Sequence, residues 1–255
     1  MPYHYAHHRF GKLLLPQLPA DARQCIQRFR RMYDMGLHGP DLFFYYNPLM
    51  KTAVGDLGGT YHKKTGQEYF PLACTAAKSE AAQAYLYGLL AHYCLDSLCH
   101  PYVQKIVDIG EATHVALESE FDRYLMALDK IPSPHTYRMD KWMRLTRGEC
   151  QSVAAFYPPA TGANINRGFH LMAWAVKYLA HPNRKLVRSV LQKTKPSICD
   201  FMIPEAEQES LAPYIRELKS LYDQALEKYP AILAQLQEHQ ATGDPLGEDF
   251  ALDFS

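Results

Sequence analysis

Apolar residues recur at helical spacing along almost the whole chain. In DARQCIQRFRRMYDMG, Ala22, Ile26, Phe29 and Tyr33 follow one another by three or four positions; Asp21 reads as the cap and Gly36 as the stop. SEAAQAYLYGLLAHYCLDSLC is apolar on nearly every side, the pattern of a central bundle helix. THVALESEFDRYLMALDK carries Val115, Leu117, Phe121, Leu125 and Leu128 with charges between them. Further helices are predicted over 137–157, 163–180, 183–194 and 204–240, punctuated by Pro158-Pro159, Pro182, Pro204 and Pro230. No strand run of convincing length interrupts this pattern, so the predicted fold class is all-α, a multi-helix bundle. There is no internal repeat and no low-complexity linker. The expected organisation is one domain over 1–255, with 131–255 supplying covering helices and a loosely held acidic tail, TGDPLGEDFALDFS.

With 255 residues and a hydrophobic fraction of 47%, the chain can bury a sizeable core. Lys plus Arg and Asp plus Glu both number 27, so no global charge marks it for nucleic acid or an anionic membrane. None of its six cysteines forms a C-x-x-C pair, which leaves reduced thiols as the expectation. Only three consecutive leucines stand near the start, short of a signal peptide, and no run approaches the roughly 20 apolar residues of a membrane span. The expectation is a soluble, cytoplasmic protein.

Candidate chemistry changes this picture. Of the twelve histidines, eight lie within the first 114 residues: His4, His7, His8, His38, His62, His92, His100 and His114. In HYCLDSLCH, His92, Asp96 and His100 recur every fourth residue and share one helix stripe. His92 and His100 would stand about 12 Å apart along the axis, too far to converge on one ion with bonds of about 2.0–2.1 Å. The stripe therefore favours more than one metal ion, with Asp96 as the bridge. Pro101 predicts a helix end or kink at His100.

His114 and Glu118 stand four apart beside Asp122, and antiparallel helices over 80–99 and 113–128 would bring both stripes into one site. Asp41 lies in a Gly-Pro turn and His62 follows Gly58-Gly59. Each has a second reading, Asp41 as a helix cap and His62 as a surface residue beside Lys63 and Lys64.

The ordered series His7, Asp41, His62, His92-x3-Asp96, His100, His114-x3-Glu118 resembles the zinc-dependent phospholipase C family, whose trinuclear zinc fold is shared with zinc-dependent single-strand nucleases. The resemblance covers about residues 1–130. It implies one zinc held by Asp41, His62, His92 and Asp96, and a second held by His100, His114 and Glu118. A third would be held by His7 and the bridging Asp96, giving two to three Zn2+ in all. In the family the third ion also takes the amino group and carbonyl of the mature N-terminal residue, usually Trp, which this chain does not offer. Pro2 after loss of Met1, or His4 or His8, would stand in its place.

The resemblance further implies hydrolysis of a phosphodiester by metal-activated water, with Asp41 as catalytic base as well as ligand. The expected substrate is a phospholipid or a soluble head-group analogue. Phe44, Tyr45 and Lys63 are the candidate substrate contacts, within an aromatic run Phe43–Tyr46 that could cage a cationic head group or stack a base. Arg123 is a further candidate for phosphate oxygens. Nuclease activity on the same core and a non-catalytic metal-binding role are the alternatives. Zero net charge weighs against the nuclease. A di-iron bundle would need a second Glu-x-x-His pair beside Glu111-x-x-His114, and an HD-type phosphohydrolase an adjacent His-Asp pair; neither is present.

Overall fold

A computed structural model describes residues 4–46, 51–137, 143–179 and 202–255, with isolated positions 186, 189, 190 and 193. Among them every regular element is helical. The longest buried one, α6 (Glu80–Asp108), starts at Ser79, whose side chain accepts from the Ala82 amide. Every residue from Ala84 to Ser97 is buried, which accounts for a sequence apolar on all sides.

The other helices surround α6, most of them packed directly on it. They are α1 (His4–Leu14), α2 (Ala20–Arg28), α3 (Arg30–Gly36), α4 (Leu57–His62), α5 (Gly66–Ala76), α7 (His114–Leu128), α8 (Arg147–Ala154), α9 (Gly162–Leu179) and α10 (Ala212–Thr242). Of these, α10 lies along α6, where the Tyr229 hydroxyl donates to the Tyr87 carbonyl at 2.9 Å. It also reaches α1 through Tyr222, whose ring meets Phe10 edge-on at 5.4 Å. Tyrosines sealed in this core keep their hydroxyls bonded, as between Tyr85 and Tyr157 at 2.8 Å. No helix among the described residues is long and apolar enough to cross a membrane.

Several expectations are corrected. The helix through Pro101 does not end: α6 continues to Asp108. Proline's fixed φ is itself helical, and a cost of about 3 kcal/mol for its missing bond is small against eight packed turns. Pro230 is carried inside α10 in the same way. The helix predicted from Asp21 to Gly36 breaks at Phe29, φ −120°. The bend lets α3 lie directly on α6.

In the 137–157 segment the described residues are helical only from Arg147, where Thr146 and Glu149 form a reciprocal capping box. The C-terminal helix begins at Ala212 rather than 204, with Pro213 in its first turn, and ends at Gly243 in the left-handed region, φ 78°. The helix predicted over 183–194 lies outside the described residues except at isolated positions. The tail is not loose: Phe250 and Phe254 are fully buried, because two rings four residues apart dock on Phe70 and Tyr93.

The α3–α6 crossing depends on Gly36 and Gly88. A Cβ on Gly88 would stand 2.2 Å from the Tyr33 carbonyl oxygen, and one on Gly36 2.2 Å from that of Tyr85. Backbone cannot yield as a flexible side chain would. Gly88→Ala is therefore expected to cost about 3 kcal/mol and lower the melting temperature by roughly 6–12 °C, measured by thermal unfolding. An unchanged melting temperature would show that the two helices can separate freely.

Candidate metal centre

The α6 stripe forms one wall of the centre. Asp96 turns its two oxygens to different neighbours. Oδ2 lies 3.2 Å from His92 Nε2 and 4.0 Å from His62 Nε2. Oδ1 lies 3.1 Å from His7 Nε2 and 3.8 Å from His100 Nε2. One carboxylate thus reaches four imidazoles from three helices.

Facing walls come from elsewhere. Asp41 sits in a 3-10 turn, Gly39–Phe43, and makes no cap bond there. Its Oδ1 is 3.0 Å from Nε2 of His62, the buried last residue of α4. This decides between the readings of Asp41 as cap or inward carboxylate, and of His62 as surface or interior residue. The turn is possible because residue 39 is glycine: its φ is +45°, and a Cβ would come within 2.5 Å of the His92 ring. From α7, Glu118 Oε1 approaches His114 Nε2 at 3.0 Å and His100 Nε2 at 3.2 Å.

Three sets of side chains each bring ligand atoms within 4.8 Å of one another: His7, Asp41 and His92; His62, His92 and Asp96; and His100, His114 and Glu118. All eight residues singled out in the sequence fall in these sets, whereas His4 and His8 fall in none of them. His4 instead meets the Tyr45 hydroxyl at 3.0 Å, with the His38 ring 5.2 Å away.

A shared device orients the imidazoles. Nδ1 of His62 lies 2.8 Å from the Gly58 carbonyl, that of His92 3.2 Å from Leu37, and that of His100 2.5 Å from Phe254. A carbonyl oxygen only accepts, so each Nδ1 carries the proton and each Nε2 faces inward. His7 is set by α1, whose first amides are held by Asp122: Tyr5 N–H donates to Oδ2 at 3.0 Å and Ala6 N–H to Oδ1 at 2.8 Å. Burial pushes Asp122 up to about 8 against these two donors.

The electrostatics are those of a site built for cations. Burial works to raise Asp96, but His100, His92 and His7 outweigh it and hold the carboxyl well below its usual range. Burial pushes His92 down to about 4 despite Asp96 and Asp41. His100 is also largely buried, yet Asp96 and Glu118 hold it up at about 9. Burial opposes ionisation of Glu118, and cationic partners including His114 and His100 pull it down to about 2.

Asp41 Oδ2, His92 Nε2 and His114 Nε2 are sealed from water and make no hydrogen bond, although the two imidazole nitrogens stand near carboxylate oxygens. Such atoms cost free energy unless something else satisfies them. Three imidazole and carboxylate sets with inward lone pairs fit a divalent transition ion such as zinc.

A cleft of about 230 Å³ opens onto the centre, lined by Asp41, His62, Asp96, His100 and His114, with Phe44, Lys63 and Gln104 at its sides. Of the candidate substrate contacts, Phe44 and Lys63 are here and Tyr45 is not; it is buried against His4. Phe43 is buried against Tyr157, and Arg123 is engaged by Glu120 at 2.6 Å. Sequence reasoning missed the three orienting carbonyls and the hold of Asp122 on α1. Gly39 was the one local sign that backbone closes on His92.

No match to a curated protein or to a solved structure was found. The model of the family described as zinc dependent phospholipase C matches residues 6–157. That span takes in all eight ligand-type residues and more than half of the chain, and the chain belongs to that family of enzymes.

Proposed function

We propose that the chain is a zinc-dependent phosphodiesterase of phospholipase C type, acting on a phospholipid or on a soluble molecule with the same head group. The observation that supports this best is the placement of Asp96, each of whose oxygens faces a different part of the imidazole cage beneath a cleft. Asp41, His62, His92 and Asp96 would hold one ion, and His100, His114 and Glu118 a second. His7, with Asp96 or Asp41, offers a place for a third. When bound, zinc supplies Lewis acidity, which lowers the pKa of water toward 7 and offsets charge on phosphate oxygens.

The chain's own residues do the rest. Asp41, held low against its burial by His92 and His62, stays ionised and can orient a water and accept its proton at the cleft floor. Lys63 places a cation where a phosphate oxygen would enter, and Phe44 offers an aromatic face beside it.

The test is zinc-replete protein incubated in parallel with phosphatidylcholine in mixed micelles, a soluble head-group phosphodiester and single-stranded DNA. Release of phosphocholine, and at most slow cutting of DNA, is the expected result. Cleavage of DNA alone would replace the lipid reading with a nuclease. No turnover by protein carrying its full zinc would make this a binding protein.

A further inference from the structure

We propose that the segment ending at Phe254 is a strap that sets the metal-binding imidazoles, with Phe254 as positioning residue for His100 and His62; the inference rests on the zinc reading above. His62 and His92 take their orienting carbonyls from Gly58 and Leu37, which precede them. His100 has no such source. Its Nδ1 donates to the Phe254 carbonyl at 2.5 Å, from a residue 154 positions further along the chain. The same residue's amide donates to the His62 carbonyl at 2.9 Å, just where α4 ends. One peptide position therefore touches a residue of each of two ligand sets.

The strap is fastened along its length. Gln67 Nε2 donates to the Leu246 and Gly247 carbonyls at 3.2 and 3.1 Å. The Tyr93 hydroxyl, on α6 one residue after His92, lies 3.0 Å from each of the Asp249 and Leu252 carbonyls and shares its one proton between them. The Gly66 amide donates to the Leu252 carbonyl at 2.9 Å. The Phe254 ring is fully buried, 5.8 Å from that of His92 and 5.9 Å from that of His62. The Phe250 ring packs on the touching pair Phe70 and Tyr93, 5.3 Å from the first and 5.8 Å from the second. Four residues further on, the chain places a carbonyl where an imidazole needs one. With Nδ1–H fixed there, the His100 Nε2 lone pair is kept for a cation beside Glu118 and Asp96.

The experiment compares the full chain, a chain shortened to end at Asp253, and Phe254→Leu, which keeps the amide and carbonyl but loses the ring. Zinc affinity is measured by competition with a chromophoric chelator, and cobalt spectra report the His100, His114 and Glu118 set. Shortening is expected to weaken binding at that set about 10–100-fold, while Phe254→Leu stays within a few-fold of the full chain. Equal affinity in the shortened chain would overturn the proposal. So would a loss in Phe254→Leu as large as that on shortening, since the ring and not the carbonyl would then be responsible.

If the shortened chain does not fold, nitrogen NMR of the full chain decides. A protonated His100 Nδ1 correlated across the hydrogen bond to the Phe254 carbonyl carbon is expected, and an unprotonated Nδ1 would overturn the strap. This measurement needs no metal. A chain that binds no zinc yet shows the correlation refutes the zinc reading and leaves the contact standing.

Discussion

Replacing Asp96 by asparagine is expected to cost the protein two zinc ions rather than one. Asparagine has the same shape, so the packing around α6 stays, but it brings no charge and offers one oxygen where two are used. Those oxygens lie at 3.1 Å from His7 on one side and 3.2 Å from His92 on the other. Removing one member of a buried ionic cluster typically costs about 3–5 kcal/mol, or roughly 10²–10⁴-fold in binding. Phosphodiester hydrolysis should fall by about 10²-fold or more, since losing the ions removes several kcal/mol of Lewis-acid stabilisation. Elemental analysis of zinc per chain, before and after the change, is the deciding measurement. Glu118→Gln serves as the comparison, because Glu118 falls in the His100 and His114 set and should affect one ion. Loss of a single ion from Asp96→Asn would show that the carboxylate serves one set, and loss of none that it is only a helix interior charge.

Much of this centre was legible in the sequence because side chains on one helix are spaced by the helix itself. His92, Asp96 and His100 had to share a stripe, and His114 and Glu118 another, whatever the rest of the fold did. The all-helical class followed from the same periodicity. What could not be read were consequences of tertiary contact. The break at Phe29 and the uninterrupted passage through Pro101 reflect packing that outweighs local preference. Tyr45 turned inward because His4, distant in sequence, lies beneath it. The orienting carbonyls of Gly58, Leu37 and Phe254 belong to the backbone, which every residue carries alike, so no residue type announced them. The tail looked acidic and loose by composition, yet it is held by the spacing of two phenylalanines.

Stripping the metal is expected to lower the melting temperature by about 15–30 °C at neutral pH, and the gap should widen as the solution becomes alkaline. The first part follows from mass action. An ion present at a thousand times its dissociation constant stabilises the folded chain by about 4 kcal/mol; two such ions give about 8 kcal/mol, and a chain of this size shifts by roughly 2–4 °C per kcal/mol. The second part follows from the ligands. His100 titrates at about 9 in the metal-free fold, above the unfolded value of 6.5. Its stabilising contribution is complete below 6.5 and disappears as the pH rises through 9. His92, pushed down to about 4, acts oppositely: the fold favours its neutral form, and that contribution is lost as the pH falls from 6.5 through 4. Taken together, these two imidazole contributions are greatest near pH 6.5 and fall away on either side. Zinc replaces the proton on His100, so the loaded protein should not share the alkaline loss. Calorimetric scans between pH 5 and 9, with and without a chelator, test both parts. A constant gap would mean that protons and metal do not compete for His100, and no gap at all that the imidazole cage holds no ion.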